Sequence, residues 1–147
     1  MPGMFLGGRI SSDRYVMSSQ NSPAQLPTVV LFSTDLMLIS SVNGAAASLQ
    51  IPFVSVATPD ALAKKKAEGP LILCLDLAAA QGHPAEVAES VTADVIQRGI
   101  AFGPHVHTAK LELARQTGFG RVLSRGQFVS RMREEIAEAL KTIGVAQ

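Results

Sequence analysis

Five side chains stand out in this sequence for combining a reactive type with a place beside an apolar run or a helix start: Asp35, Asp76, Arg125, His105 and His107. Asp76 stands directly after the apolar run Leu71-Ile72-Leu73-Cys74-Leu75. A carboxylate at the end of such a run must meet solvent, a cation or a hydrogen-bond donor, because unpaired burial is costly. Asp35 stands between an apolar run and a helical stripe, which suits a helix N-cap or a ligand for a cation. Arg125 follows Val122-Leu123-Ser124 and is a fixed positive charge, able to hold an anion or to pair with Asp76 or Asp35. In Gly103-Pro104-His105-Val106-His107, the two imidazoles together with Asp76 make a mixed nitrogen and oxygen set that suits zinc or related ions. The other reading of that segment is hydrogen bonding at a helix start. Gly118-Phe119-Gly120 reads as a helix end and turn, since no Lys-Ser/Thr follows it as in a phosphate loop. No GxSxG elbow occurs and Ser124 has no evident His and Asp partners, so acyl transfer is not supported.

The chain that must position these groups has 147 residues, 47% of them apolar, which is enough for one domain with a sizeable core. Its 13 basic and 12 acidic residues leave a net charge of +1, so no basic excess exists to bind nucleic acid. The run Lys64-Lys65-Lys66 is more simply the solvated face of a short helix. The single cysteine, Cys74, excludes an internal disulfide, and its place in an apolar run with no neighbouring cation makes it core rather than nucleophile. With no signal peptide and no apolar run of membrane-spanning length, a cytoplasmic protein without a membrane partner is expected.

Residues 1–26 are rich in Gly, Ser, Asn, Gln and Pro and show no sustained period, which predicts an N-terminal tail or arm. From residue 27 to 147 the pattern is regular. Short apolar runs at 28–33, 53–56, 71–75, 99–102 and 122–123 read as strands. Between and after them lie five helical stretches. The first carries the stripe Leu38, Ile39, Val42, Ala45, Ala46 and Leu49, and the second opens on Thr58-Pro59 and closes at Gly69-Pro70. The third runs from Pro84 to about Asp94, and the fourth is marked by Val106, Ala109, Leu113, Ala114 and Thr117. The last presents Phe128, Met132, Ile136 and Leu140 to the core, with Arg131, Glu134, Glu135, Glu138 and Lys141 left for solvent. Such alternation is an α/β fold with a parallel sheet, either a Rossmann half or the flavodoxin-like order 2-1-3-4-5. Both place binding groups at the carboxyl ends of the strands, which is where Asp35, Asp76, Gly103–His107 and Arg125 fall.

Segments 28–35, 71–77 and 122–128 are similar to the three marker regions of the receiver domain of two-component response regulators, and the layout agrees over about residues 27–143. The resemblance implies a three-layer flavodoxin-like fold with helices on both faces of a five-stranded sheet. It puts Asp76, in Leu73-Cys74-Leu75-Asp76-Leu77, at the phosphoacceptor position and Asp35 in the acidic pocket, with Thr34 where the family has a second acid. Arg125 stands at the lysine position, followed by Gly126 instead of proline. Gly103 falls where the switch hydroxyl belongs, and Val122 where an aromatic residue moves with it. Asp35 and Asp76 alone would hold magnesium weakly, and Gly103 has no hydroxyl for a phosphoryl oxygen. The implied function is a degenerate, pseudo-receiver-like module for protein interaction in a phosphorelay-type context, not an enzyme, without the ordinary phosphorylation switch. Homodimers are implied through the face of the fourth helix, fifth strand and fifth helix. The alternatives are an atypical receiver phosphorylated on Asp76, and a small-ligand or metal-binding enzyme using His105 and His107.

Overall fold

The structure is a computed structural model, and it describes residues 26–145. The expected N-terminal arm lies outside the described residues except for Leu26. Five strands, β1 (Thr28–Phe32), β2 (Phe53–Val56), β3 (Leu71–Asp76), β4 (Ile100–Gly103) and β5 (Arg121–Ser124), form one sheet of order β2-β1-β3-β4-β5. Every neighbouring pair is parallel. β3 and β4 are buried at every residue, as continuous apolar runs covered on both faces should be. The edge strands β2 and β5 are less buried and carry the polar positions Ser55 and Arg121.

Period-two alternation divides those runs between two cores. Val29, Leu31, Ile72, Cys74, Ile100 and Phe102 face one side, under helices α1 (Leu36–Ser48) and α6 (Arg125–Val145). Val30, Phe32, Leu73, Leu75 and Ala101 face the other, under α2 (Pro59–Glu68), α3 (Pro84–Glu89), α4 (Ala93–Gln97) and α5 (Thr108–Thr117). The result is the three-layer flavodoxin-like α/β fold. The helix starts at Asp35 and Thr58 are capped by their own side chains, and α5 ends on Gly118 with a left-handed φ of 109°.

Three expectations need correction. The third helix is two, because Ser90 turns both its amide and its hydroxyl back onto the Val87 carbonyl, at 3.1 and 2.7 Å. That local bonding competes with helix propagation. Thr92 then takes an extended conformation, ψ 164°, and a new helix begins at Ala93. The fourth stretch, now α5, starts only at Thr108, so Val106 is 68% exposed and the inward residues are Leu111 and Ala114. Glu135 is not a solvent residue: it is 4% exposed, and its carboxylate accepts two bonds of 2.9 Å from the Arg121 guanidinium. Just before it, Arg131 departs from helical geometry, φ −130° and ψ 19°, and kinks α6.

Candidate functional site

Strand order reverses between β1 and β3, and the carboxyl ends of those two strands bring together Ser33, Asp35 and Asp76. Asp76 is the last residue of β3 and is only 4% exposed. Its carboxylate is satisfied by the chain itself: the Ser33 hydroxyl donates to Oδ2 at 2.8 Å, and the Ala78 amide donates to Oδ1 at 3.0 Å. Ser33 Oγ in turn accepts the Asp35 amide at 3.0 Å. Ser33 therefore ties the β1 terminus to the β3 terminus, and it is the residue that the sequence reading left out. Thr34, at the position compared with a second acid, is exposed.

Asp35 is equally committed. Its Oδ1 accepts the Met37 and Leu38 amides at 3.0 and 3.2 Å, capping α1, while Oδ2 accepts Arg125 Nη2 at 2.7 Å. Arg125, the first residue of α6, thus takes Asp35 rather than Asp76 of its two candidate partners. The Arg125 guanidinium, aided by the Leu38 amide, holds the Asp35 carboxyl below its ordinary value of 3.8.

The place where a switch hydroxyl would stand is closed. Gly103 ends β4, and a Cβ built on it would lie 3.2 Å from the Leu77 Cβ and 3.5 Å from Leu77 Cδ1. Leu77 is itself buried, and its carbonyl accepts Lys110 Nζ of α5 at 3.2 Å. The aromatic stack lies in the core beneath this end, between Phe102 of β4 and Phe128 of α6, with centroids 4.0 Å apart and planes within 3°. Val122 is half-buried on β5.

At the strand ends Asp35 and Asp76 are the carboxylates that a magnesium ion would draw on. Magnesium takes a near-octahedral oxygen set with carboxylates among its ligands, yet all four carboxylate oxygens of Asp35 and Asp76 already accept donors. Among the described residues no group of three or more His, Cys, Asp or Glu side chains is placed to hold a metal ion. His105, His107 and Asp76 accordingly do not form a three-ligand set. Both imidazoles are exposed, and His107 starts α5 without a side-chain capping bond; its amide instead closes a turn onto the Pro104 carbonyl at 2.9 Å. Among the described residues no helix is long and apolar enough to cross a membrane.

No family model and no curated protein matches the sequence. Solved structures do. A response regulator receiver domain from Clostridium thermocellum superposes with a TM-score of 0.67 at 10% identity, covering 83% of this chain and 100% of that one. The N-terminal signal receiver domain of a two-component response regulator from Bacteroides fragilis gives 0.65 at 13% identity, over 79% of this chain and 98% of its own. The NtrX receiver domain from Brucella abortus gives 0.59 at 17% identity, over 78% and 98%. At such identities the likeness is one of architecture, and the architecture of this chain is the response regulator receiver fold.

Proposed function

We propose that this chain is a receiver-fold module that acts in signalling by docking to other proteins, without an aspartyl phosphorylation switch. One observation carries the reading. Both carboxylates at the strand ends are already satisfied by donors of the same chain, Asp76 by Ser33 and Ala78, and Asp35 by Arg125 and two helix amides. A carboxylate in that state is a weaker nucleophile and a weaker cation ligand, since its donors draw on the same oxygens that a phosphoryl group or an ion would use. Gly103 adds to this, because it offers no hydroxyl and Leu77 fills the space beside it. The near-neutral charge gives no electrostatic reason to expect nucleic acid as the partner.

The test is intact mass after incubation with magnesium and a small phosphodonor such as acetyl phosphate. Wild type and Asp76→Asn should both keep their mass. Gain of one phosphoryl group by wild type and not by Asp76→Asn would replace this reading with that of an atypical receiver phosphorylated on Asp76.

A further inference from the structure

β2 closes one side of the sheet, and among the described residues no strand pairs with its outer edge. The Val29 and Ser33 amides donate to the Pro52 and Val56 carbonyls at 2.9 and 3.0 Å. Peptide groups alternate in direction along a strand, so Phe53 and Ser55 aim both N–H and C=O at the open side. Such an edge is a template for one more strand. Its side chains do not protect it: Phe53-Val54-Ser55-Val56 holds no charge and no proline, and Phe53 and Val54 are only half-buried. The opposite edge, β5, carries Arg121.

The chain itself leads to that edge. Pro27 is buried and the Thr28 amide donates to the Pro70 carbonyl at 3.1 Å, which anchors the point where residues 1–25 join the sheet. Leu26, 63% exposed, stands in the wall of a groove of about 290 Å³ together with Pro52, Val54 and Pro70. A segment on the outer side of β2 must cross two strand spacings, about 10 Å, to reach β1. Residues 18–25 extend to roughly 27 Å, which is enough. Just before them Tyr15-Val16-Met17 joins an aromatic to a β-branched residue, in a stretch from Arg9 to Ser22 without glycine or proline. The other apolar run, Met4-Phe5-Leu6, lies between Gly3 and Gly7-Gly8 and makes a poorer strand.

We infer that residues 14–17 form a sixth strand, antiparallel to β2, on the sheet of their own chain. Met17 stands opposite Phe53 and Tyr15 opposite Ser55, so each pair exchanges two N–H···O=C bonds. Val16 then lies beside Val54, one wall of the groove. The tether selects this occupant. A strand joined to the site by eight residues is present there at about millimolar effective concentration, which the arm of a second copy or a separate protein must exceed. An antiparallel edge strand on an otherwise parallel sheet is a common arrangement. It covers the edge that β2 otherwise offers to other chains.

Tyr15 is the sole tyrosine and tryptophan is absent, so tyrosine emission of the full chain reads this segment directly. In wild type Tyr15 should be several-fold less open to acrylamide quenching than in urea, and the Phe53 and Ser55 amides should be protected from hydrogen exchange. Neither reading should change on dilution. Met17→Pro removes an N–H that faces β2 and should free Tyr15 and both amides, while the β3 amides stay protected and show the sheet intact. Val16→Pro places the proline where the N–H faces solvent and should leave the strand in place. The inference is overturned if Tyr15 of wild type is as open as in urea, if Phe53 and Ser55 exchange freely, if protection falls on dilution and so assigns the strand to a second copy, or if the two proline variants behave alike.

Discussion

Arg121 and Arg125 stand four residues apart at the junction of β5 and α6, and each ends on a carboxylate, but the two pairs are built differently. Arg125 and Asp35 are exposed to similar degrees, 38% and 35%, and the bond joins the starts of two helices at the carboxyl end of the sheet. Arg121 is 58% exposed, whereas its partner Glu135 is only 4% exposed and sits close enough to the core to raise the Cys74 thiol. A solvated pair trades one set of good interactions for another and contributes little. A buried carboxylate has no water to fall back on, so its arginine is needed for the fold. Two identical side chains in one turn of chain thus serve a site in one case and the core in the other.

The sharpest way to break this contrast is Arg121→Met. It strands Glu135 in the core and should cost roughly 3 kcal/mol in urea unfolding, the low end for a buried pair. The low end applies because Arg131 Nε stands 3.9 Å from Glu135 Oε2 and takes up part of the charge. Adding Glu135→Met should recover most of the loss; if the double variant is no better than the single, burial of Glu135 is not the cause. Ser33→Ala extends the logic to a neutral donor. It leaves Asp76 Oδ2 and the Asp35 amide without their partner, at a cost of about 1–3 kcal/mol in the same assay.

Arg125→Met should give the smallest change in melting temperature at neutral pH. Its signature is pH dependence. Asp35 has a folded pKa below its ordinary 3.8, so its contribution is present above that value and is lost as pH falls through the lower folded value. Wild type should therefore lose this increment on acidification, and Arg125→Met should show a flatter profile over the same range. Equal slopes for the two proteins would mean that Arg125 does not govern the ionisation of Asp35.

Much of the fold was legible because local chemistry and global packing agree. β2 spans the four residues read from the sequence, and the Asp35 and Thr58 caps fall where a short acceptor side chain precedes an apolar helical stripe. The site was legible as a set of positions but not as a network. Ser33 looks like the first polar residue of a loop, and only the pairing of β1 beside β3 reveals that its hydroxyl meets Asp76. Charge alone points Glu135 to solvent, although it flanks the stripe of Met132, Ile136 and Ala139; its arginine partner, fourteen residues earlier, is visible only once β5 and α6 are packed. Val106 has the opposite history. Its apolar character places it in a helix, but the turn closed by Pro104 and His107 holds it outside.

The lone thiol in the middle of β3 has a practical consequence. Cys74 is fully buried between β1 and β4, and burial pushes its pKa up to about 12, so at neutral pH it is neither accessible nor ionised while the sheet is intact. With no second cysteine to compete, any alkylation must follow an opening that exposes the central strand. Every molecule therefore carries its own timer: the labelling rate of one atom reports how often the heart of the sheet comes apart, with no dye or tag added to the chain.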